Sequence, residues 1–331
     1  MMLSRIAFFR SLPQLASKTH ISLKVPSLQR CKQCNLTGFG GKQPKKQNPT
    51  PKAEPGNIPS TGKTRGVLQY VLYSAVAIPA IFTGCTIWRY ETIRKEHVVG
   101  AHWEKKEMGF RDHINALWNN LSHAQKFTYT FVAVNALVFF LWKIPALYPT
   151  MCRYFTHLPH SSNSLLGATL SGISHTNGLH LFVNMYVFSS FIPLLLPIFG
   201  KEQLTAIFLG GATFSSVTST LQKLGMKSMI PSVGASGGIL SVVAIMCLLY
   251  PKEKLAIAFV DKIIPHSFEA RSAVIGLVLL DITGIVLGWK VFDHAGHLGG
   301  VMFGIWYAKY GQKLFREYQK IIYQGWHKFR S

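Results

Sequence analysis

Ser236 stands in Gly234-Ala235-Ser236-Gly237-Gly238, and His297 stands about sixty residues on, in His294-Ala295-Gly296-His297-Leu298-Gly299-Gly300. A serine hydroxyl is a poor nucleophile until a base takes its proton. A neutral imidazole can take that proton and later hand it to a leaving amine. Together the two residue types are the parts of an acyl-transfer centre. His180 and Asn184 lie four residues apart, hence on one face of a helix. Their side chains can donate to a tetrahedral oxyanion, beside the backbone N–H of Ser236 at a helix N-terminus. All four sit in apolar surroundings, where polar groups are costly and therefore suggest function.

The elements that must position them follow from the charge map. The chain has 331 residues, a net charge of +22 and a mean hydropathy of +0.21. It is too apolar and too basic for an ordinary soluble enzyme. No Lys, Arg, Asp or Glu occurs from Gly66 to Trp88, Phe127 to Trp142, Tyr154 to Gly200, Gln203 to Gln222, Ser228 to Pro251, or His294 to Ala308. From Ser272 to Trp289 the only charge is Asp281. A spanning helix needs about 20 apolar residues. The gaps hold seven candidate spans, the third near Ile173–Leu195 and the fourth near Leu204–Leu221. Lys and Arg flank the runs, as in membrane proteins, and no basic base-reading helix points to nucleic acid.

The serine span is short. Pro251 stops it, and Ser236 to Tyr250 as helix covers only about 22 Å of a core about 30 Å thick. Ser236 therefore opens its helix below the surface, and Ser228–Val233 dips in as irregular backbone lining a protein cavity. In the last span Gly300 and Gly304 form a small-residue face, and Gly237 and Ser241 form a matching one. Close packing of these faces brings Ser236 within reach of His297. The Leu147–Ser171 connection, rich in aromatics, Pro and His, reads as an interfacial segment.

No acid is placed along the chain to complete a triad, so a Ser–His dyad with the histidine oriented by packing is expected. His294 reads as interfacial. A zinc protease would carry H-E-x-x-H, which is absent. An aspartyl mechanism needs two intramembrane carboxylates, and the spans offer only Asp281. No metal and no cofactor is expected. Cys31, Cys34, Cys85, Cys152 and Cys247 do not form a disulfide framework.

Residues 1–53 contain ten Lys or Arg and no acid. With Met1-Met2-Leu3-Ser4-Arg5 at the start, this reads as a mitochondrial presequence, followed by a Pro-, Gly- and Lys-rich linker. The expected organisation is presequence and linker over 1–60, a first span and charged loop over 61–126, a six-span core over 127–311, and a basic tail over 312–331. A presequence places the N-terminus in the matrix. The basic loop before the second span favours the opposite orientation of the core.

Gly-Ala-Ser-Gly-Gly, His180-x-x-x-Asn184 and Asp293-His294-Ala295-Gly296-His297-Leu298-Gly299-Gly300 with Gly304 together resemble the rhomboid family of intramembrane serine proteases. The presequence, the extra first span and Phe303-Gly304-Ile305-Trp306-Tyr307 are similar to its mitochondrial, presenilin-associated rhomboid-like branch. The resemblance implies an all-α membrane fold: a six-helix rhomboid core plus one N-terminal transmembrane helix. It implies Ser236 as nucleophile, His297 as base, and His180 and Asn184 as oxyanion donors. It also implies transmembrane substrates in the mitochondrial inner membrane, such as a quality-control kinase and a dynamin-like GTPase. Leu240 replaces an aromatic that many bacterial members place four residues after the serine, and Cys152-Arg153 replaces their Trp-Arg. The competing reading is a non-catalytic membrane chaperone or client binder.

Overall fold

The computed structural model describes residues 60–99, 109–158, 165–228, 230–256, 267–289 and 291–331. The presequence and linker, with Cys31 and Cys34, lie outside the described residues. Ten helices are described: α1 (Ser60–Val99), α2 (Phe110–Asn119), α3 (His123–Leu141), α4 (Tyr148–Tyr154), α5 (Gly167–Leu170), α6 (Gly178–Gly225), α7 (Ser236–Leu249), α8 (Ala270–Val286), α9 (His294–Trp306) and α10 (Gln312–Arg330). One two-residue ladder, β1 (Lys254–Leu255) with β2 (Phe268–Glu269), precedes α8. Three helical stretches are long and apolar enough to cross a membrane: Gly66–Glu96, His123–Leu141 and Gly178–Gly225. Their outer faces carry exposed Val76, Leu137 and Leu179, and α8 adds Val286. Outward-facing apolar side chains on a packed bundle suit lipid rather than water.

Local chemistry sets the helix ends. Ser122 and Gln125 form a reciprocal capping box on α3, at 3.2 and 2.7 Å. The Asn177 side chain accepts from the N–H groups of Leu179 and His180, at 2.8 and 3.1 Å. That cap starts α6 at Gly178 rather than at Ile173. The stretch α6 is two helices joined at a break: Gly200 has φ 72° and ψ 163°. Only glycine adopts that backbone cheaply, and a Cβ there would lie 2.5 Å from Arg89 Nη1. The third and fourth spans anticipated from the charge gaps are the two limbs of this helix.

The core sits where α6, α7 and α9 meet. Glycine lets the backbones touch. A Cβ on Gly300 would fall on the Gly237 carbonyl, and one on Gly304 on the Ser241 carbonyl. Ser241 Oγ donates to the carbonyls of Gly237 and Gly300, at 3.0 and 2.9 Å. The two small-residue faces read from the sequence are thus in contact, cross-linked by a hydroxyl.

The first helix is part of this body. Tyr70 Oη donates to the Leu158 carbonyl at 2.9 Å, and Tyr73 Oη lies 3.0 Å from Thr169 Oγ1. Residues 312–330, read from sequence as a basic tail, form a helix along the far half of α1. Tyr318 Oη lies 2.6 Å from Thr83 Oγ1, and Trp326 Nε1 donates to Glu91 Oε1 at 2.9 Å. The C-terminal helix and the end of the first span therefore share one side of the bundle.

Candidate active site

Ser236 is the first residue of α7, and His297 lies in the first turn of α9. His297 Nε2 is 2.9 Å from Ser236 Oγ. Both are half-buried beside a cavity of about 40 Å³, whose lining includes Ser171, Ser215, Ser219, Ser232 and Asp293. That volume has room for water. The polar lining gives such waters partners between helices that face outward with apolar side chains.

The irregular segment before α7 is held from three sides. His157 and Ser232 exchange both backbone hydrogen bonds at 2.9 Å, which ties it to the interfacial connection. Gly234 N–H donates to the Ser171 carbonyl at 3.0 Å. Ala235 N–H donates to His175 Nε2 at 3.3 Å. His175 is fully buried. Its spacing along the chain carries no signal for this role; only the fold brings it to Ala235. His157 Nε2 lies 2.9 Å from Thr220 Oγ1. Burial, aided by the positive charge of Lys223, holds the His157 imidazole down to about 3, so it is neutral.

His180 and Asn184 do lie on one face of α6. The His180 ring packs on Gly234, where φ is 140° and a Cβ would come within 2.6 Å of His180 Cε1. His180 therefore touches the turn that leads into Ser236. Asn184 is buried, and its Nδ2 donates to the His180 carbonyl one turn back, at 2.8 Å. In this arrangement the amide is engaged along its own helix.

Asp281 corrects the expectation of a histidine held by packing alone. Its Oδ1 lies 2.8 Å from His294 Nδ1 and 3.4 Å from His297 Nδ1. His294 is 1% exposed, so it is an interior residue and not an interfacial one. Helix α8 crosses the start of α9 closely because Gly284 leaves room for the His294 ring: a Cβ there would sit 2.5 Å from Cδ2. The chain order hid this, because the phase of α8 against α9 is set by packing. Among the described residues, Asp281 Oδ2 and His294 Nε2 are buried with no hydrogen-bond partner. If His297 acts as the base, an Asp281→Asn variant should lose about 10–10³-fold in kcat with little change in KM, since the carboxylate would stabilise a cationic His297. Steady-state cleavage of a membrane-embedded peptide checks this, and unchanged kcat would remove Asp281 from the chemistry.

A second network locks the two helix starts together. Asp293 caps α9, its Oδ1 accepting from Gly296 N–H at 3.0 Å. Its Oδ2 accepts from Ser219 at 2.5 Å and from Ser232, and lies 3.5 Å from Lys223 Nζ. Burial opposes ionisation of this carboxyl, but Lys223 and the two hydroxyls prevail and hold it well below the ordinary carboxylate range. Ser232 also receives a bond from Lys223. The network joins α6, the segment before Ser236 and the cap of the His297 helix. Lys223→Met should destabilise the protein by about 1–3 kcal/mol, because it strands a largely buried carboxylate. Adding Asp293→Asn should recover part of that loss, read by thermal unfolding in detergent.

A membrane-embedded helical bundle with a serine opening one short helix and a histidine opening its neighbour defines a recognisable class. Residues 162–313 match the rhomboid domain family. The chain is 38% identical over 265 residues to the human presenilin-associated rhomboid-like protein, mitochondrial, covering 76% of this chain and 69% of that one. Presenilin-associated rhomboid-like protein A of Danio rerio is 37% identical over 231 residues, 70% of this chain and 60% of that one. Rhomboid protein 1, mitochondrial, of Saccharomyces cerevisiae is 28% identical over 194 residues, 58% of this chain and 55% of that one. The chain belongs to the rhomboid family and is a multi-pass mitochondrial membrane protein.

Proposed function

We propose that this protein is an intramembrane serine endopeptidase that cuts transmembrane segments of mitochondrial inner-membrane proteins. The observation that carries the reading is the 2.9 Å contact of Ser236 Oγ with His297 Nε2 at the edge of a polar cavity. Ser236 Oγ attacks the scissile carbonyl carbon while its proton passes to His297 Nε2. The negative oxygen that forms faces the start of α7. There the first-turn N–H groups lack intrahelical partners and the helix dipole favours negative charge. His180, seated on Gly234, supplies a further donor, and Asn184 joins once its amide turns from the His180 carbonyl. Asp281 orients His297 through Nδ1 and stabilises its cationic form. His297 then protonates the leaving amine, and the C–N bond breaks. Water from the serine-lined cavity gives its proton to His297 and hydrolyses the acyl-enzyme, which restores Ser236.

The substrates are membrane proteins whose helices unwind at the site. Irregular backbone at that depth needs polar partners, and the cavity beside Ser236 offers them. With a matrix presequence and seven crossings, the end of α1 and all of α10 face the intermembrane space, in keeping with their pairing. A reporter carrying a transmembrane helix, reconstituted with wild type, Ser236→Ala and His297→Ala, tests the reading. Cleavage by wild type alone supports it. Equal cleavage by all three, or by none, leaves the client-binding alternative.

A further inference from the structure

Asp281, His294 and His297 form a cluster that a proton relay does not fully use. One carboxylate oxygen faces two imidazole Nδ1 atoms, at 2.8 and 3.4 Å, and the other oxygen is buried with no partner among the described residues. A relay needs one histidine on the carboxylate, and here there are two. One ligand atom from each residue lies within 4.8 Å of the others. Bonds of about 2.0–2.1 Å to a tetrahedral ion separate neighbouring ligand atoms by about 3.3–3.4 Å. The Asp281 contacts at 2.8 and 3.4 Å already bracket that spacing, and the widest pair of ligand atoms, up to 4.8 Å apart, closes by about 1.4 Å to grip one ion. The donor set is two imidazoles and a carboxylate, which suits Zn²⁺ or Cu²⁺ and not Mg²⁺ or Ca²⁺. Entry is from the His297 side, whose side chain is 19% exposed against 2% for Asp281.

We propose that Asp281, His294 and His297 form an inhibitory zinc-type site built onto the back of the proposed base. The effect on turnover rests on the protease reading above, but metal binding does not. A neutral imidazole carries one N–H. With the metal on Nδ1, the proton that pointed at Asp281 must sit on Nε2, the nitrogen facing Ser236. That nitrogen then donates to Ser236 Oγ and has no lone pair to take the hydroxyl proton. The ion binds without any bond to substrate, and turnover stops because the base is in the wrong tautomer. Asp281 Oδ2 becomes available as a further ligand, and water fills the remaining position.

The test uses the full-length protein in lipid nanodiscs, with Co²⁺ and Zn²⁺ as probes. Ser236→Ala protein should bind one Co²⁺ per chain, with the intense visible bands of four- or five-coordinate cobalt. Ser236→Ala/His294→Gln and Ser236→Ala/Asp281→Asn should bind at least about tenfold more weakly, with thermal unfolding checking that each is folded. In wild type, micromolar Zn²⁺ should block cleavage, EDTA should restore it, and equal Mg²⁺ or Ca²⁺ should do nothing. A Ser236→Ala protein showing only the weak bands of hexaaqua cobalt overturns the site, a result that needs no mutant of the ligands. Equal affinity in folded His294→Gln protein overturns it too, as does zinc that binds active wild type without slowing it. Binding as expected in a wild type that cleaves nothing upholds the metal site and removes the protease assignment instead.

Discussion

Ser236→Ala and His297→Ala should each reduce cleavage of a transmembrane reporter by about 10⁴–10⁶-fold, and the double variant should be no worse than either single one. In the proposed mechanism the two side chains act on one proton, so removing either disables both. Without His297 the Ser236 hydroxyl keeps its proton and is a weak nucleophile. Without Ser236 the imidazole has nothing to activate except cavity water. Neither change should cost much stability. Both residues are half-buried, and their contact is one hydrogen bond at 2.9 Å, worth about 1 kcal/mol net. Initial rates in proteoliposomes, with thermal unfolding as control, measure both effects. Losses that multiplied in the double variant would mean the two residues act separately.

Gly300→Val should lower stability by about 3 kcal/mol and activity by about 10²-fold or more. A Cβ on Gly300 would fall on the Gly237 carbonyl oxygen and lie 3.0 Å from Gly237 Cα. Neither atom can yield, because both are backbone of the helix that carries Ser236. The helices must separate by about 1 Å, a misplacement large enough to cost that much in rate. The separation also strains the Ser241 bond to the Gly300 carbonyl, now 2.9 Å. Gly276→Ala in α8 is the control, since a Cβ there meets nothing within 4 Å. It should leave activity unchanged and stability no lower, since Ala is the better helix former by about 0.5–1 kcal/mol. A Gly300→Val protein as active as wild type would show that the approach of α7 to α9 is not what aligns Ser236 with His297.

Much of the architecture was legible because a bilayer imposes long-range order on local composition. Charges cannot be scattered through lipid-facing helices, so gaps in the charge map outlined the helices before any packing was known. Proline marked the end of α7, and Lys201 and Glu202 separated the third span from the fourth, although the sequence did not reveal the break at Gly200 or that the two limbs of α6 are nearly continuous. The glycines around Ser236 and His297 were readable for a similar reason. Helices that touch through backbone need residues with no side chain, and the i, i+4 spacing of Gly300 and Gly304 matched that of Gly237 and Ser241.

What stayed hidden depends on rotation. Asp281 is a lone acid in the middle of a span, and nothing along the chain says which way it points. His294 and His297 are three apart in the first turn of α9, and sequence spacing favoured only the second. Their common approach to Asp281 exists because Gly284 lets α8 settle on the His294 ring. The bond of His175 to Ala235 N–H and the Lys223–Asp293–Ser232 network likewise join segments far apart in the chain. Amino-acid order alone thus determined which segments are apolar enough for the membrane, where the Ser236 helix starts, and which hydroxyl and imidazole could react. Those properties follow from hydrophobicity, backbone freedom and residue chemistry, all of which are local. The tertiary structure alone decided that Asp281 stands behind both histidines and that Asn184 is turned along its own helix. Helix phase is chosen by the mutual fit of whole side-chain surfaces, which no single stretch of sequence contains.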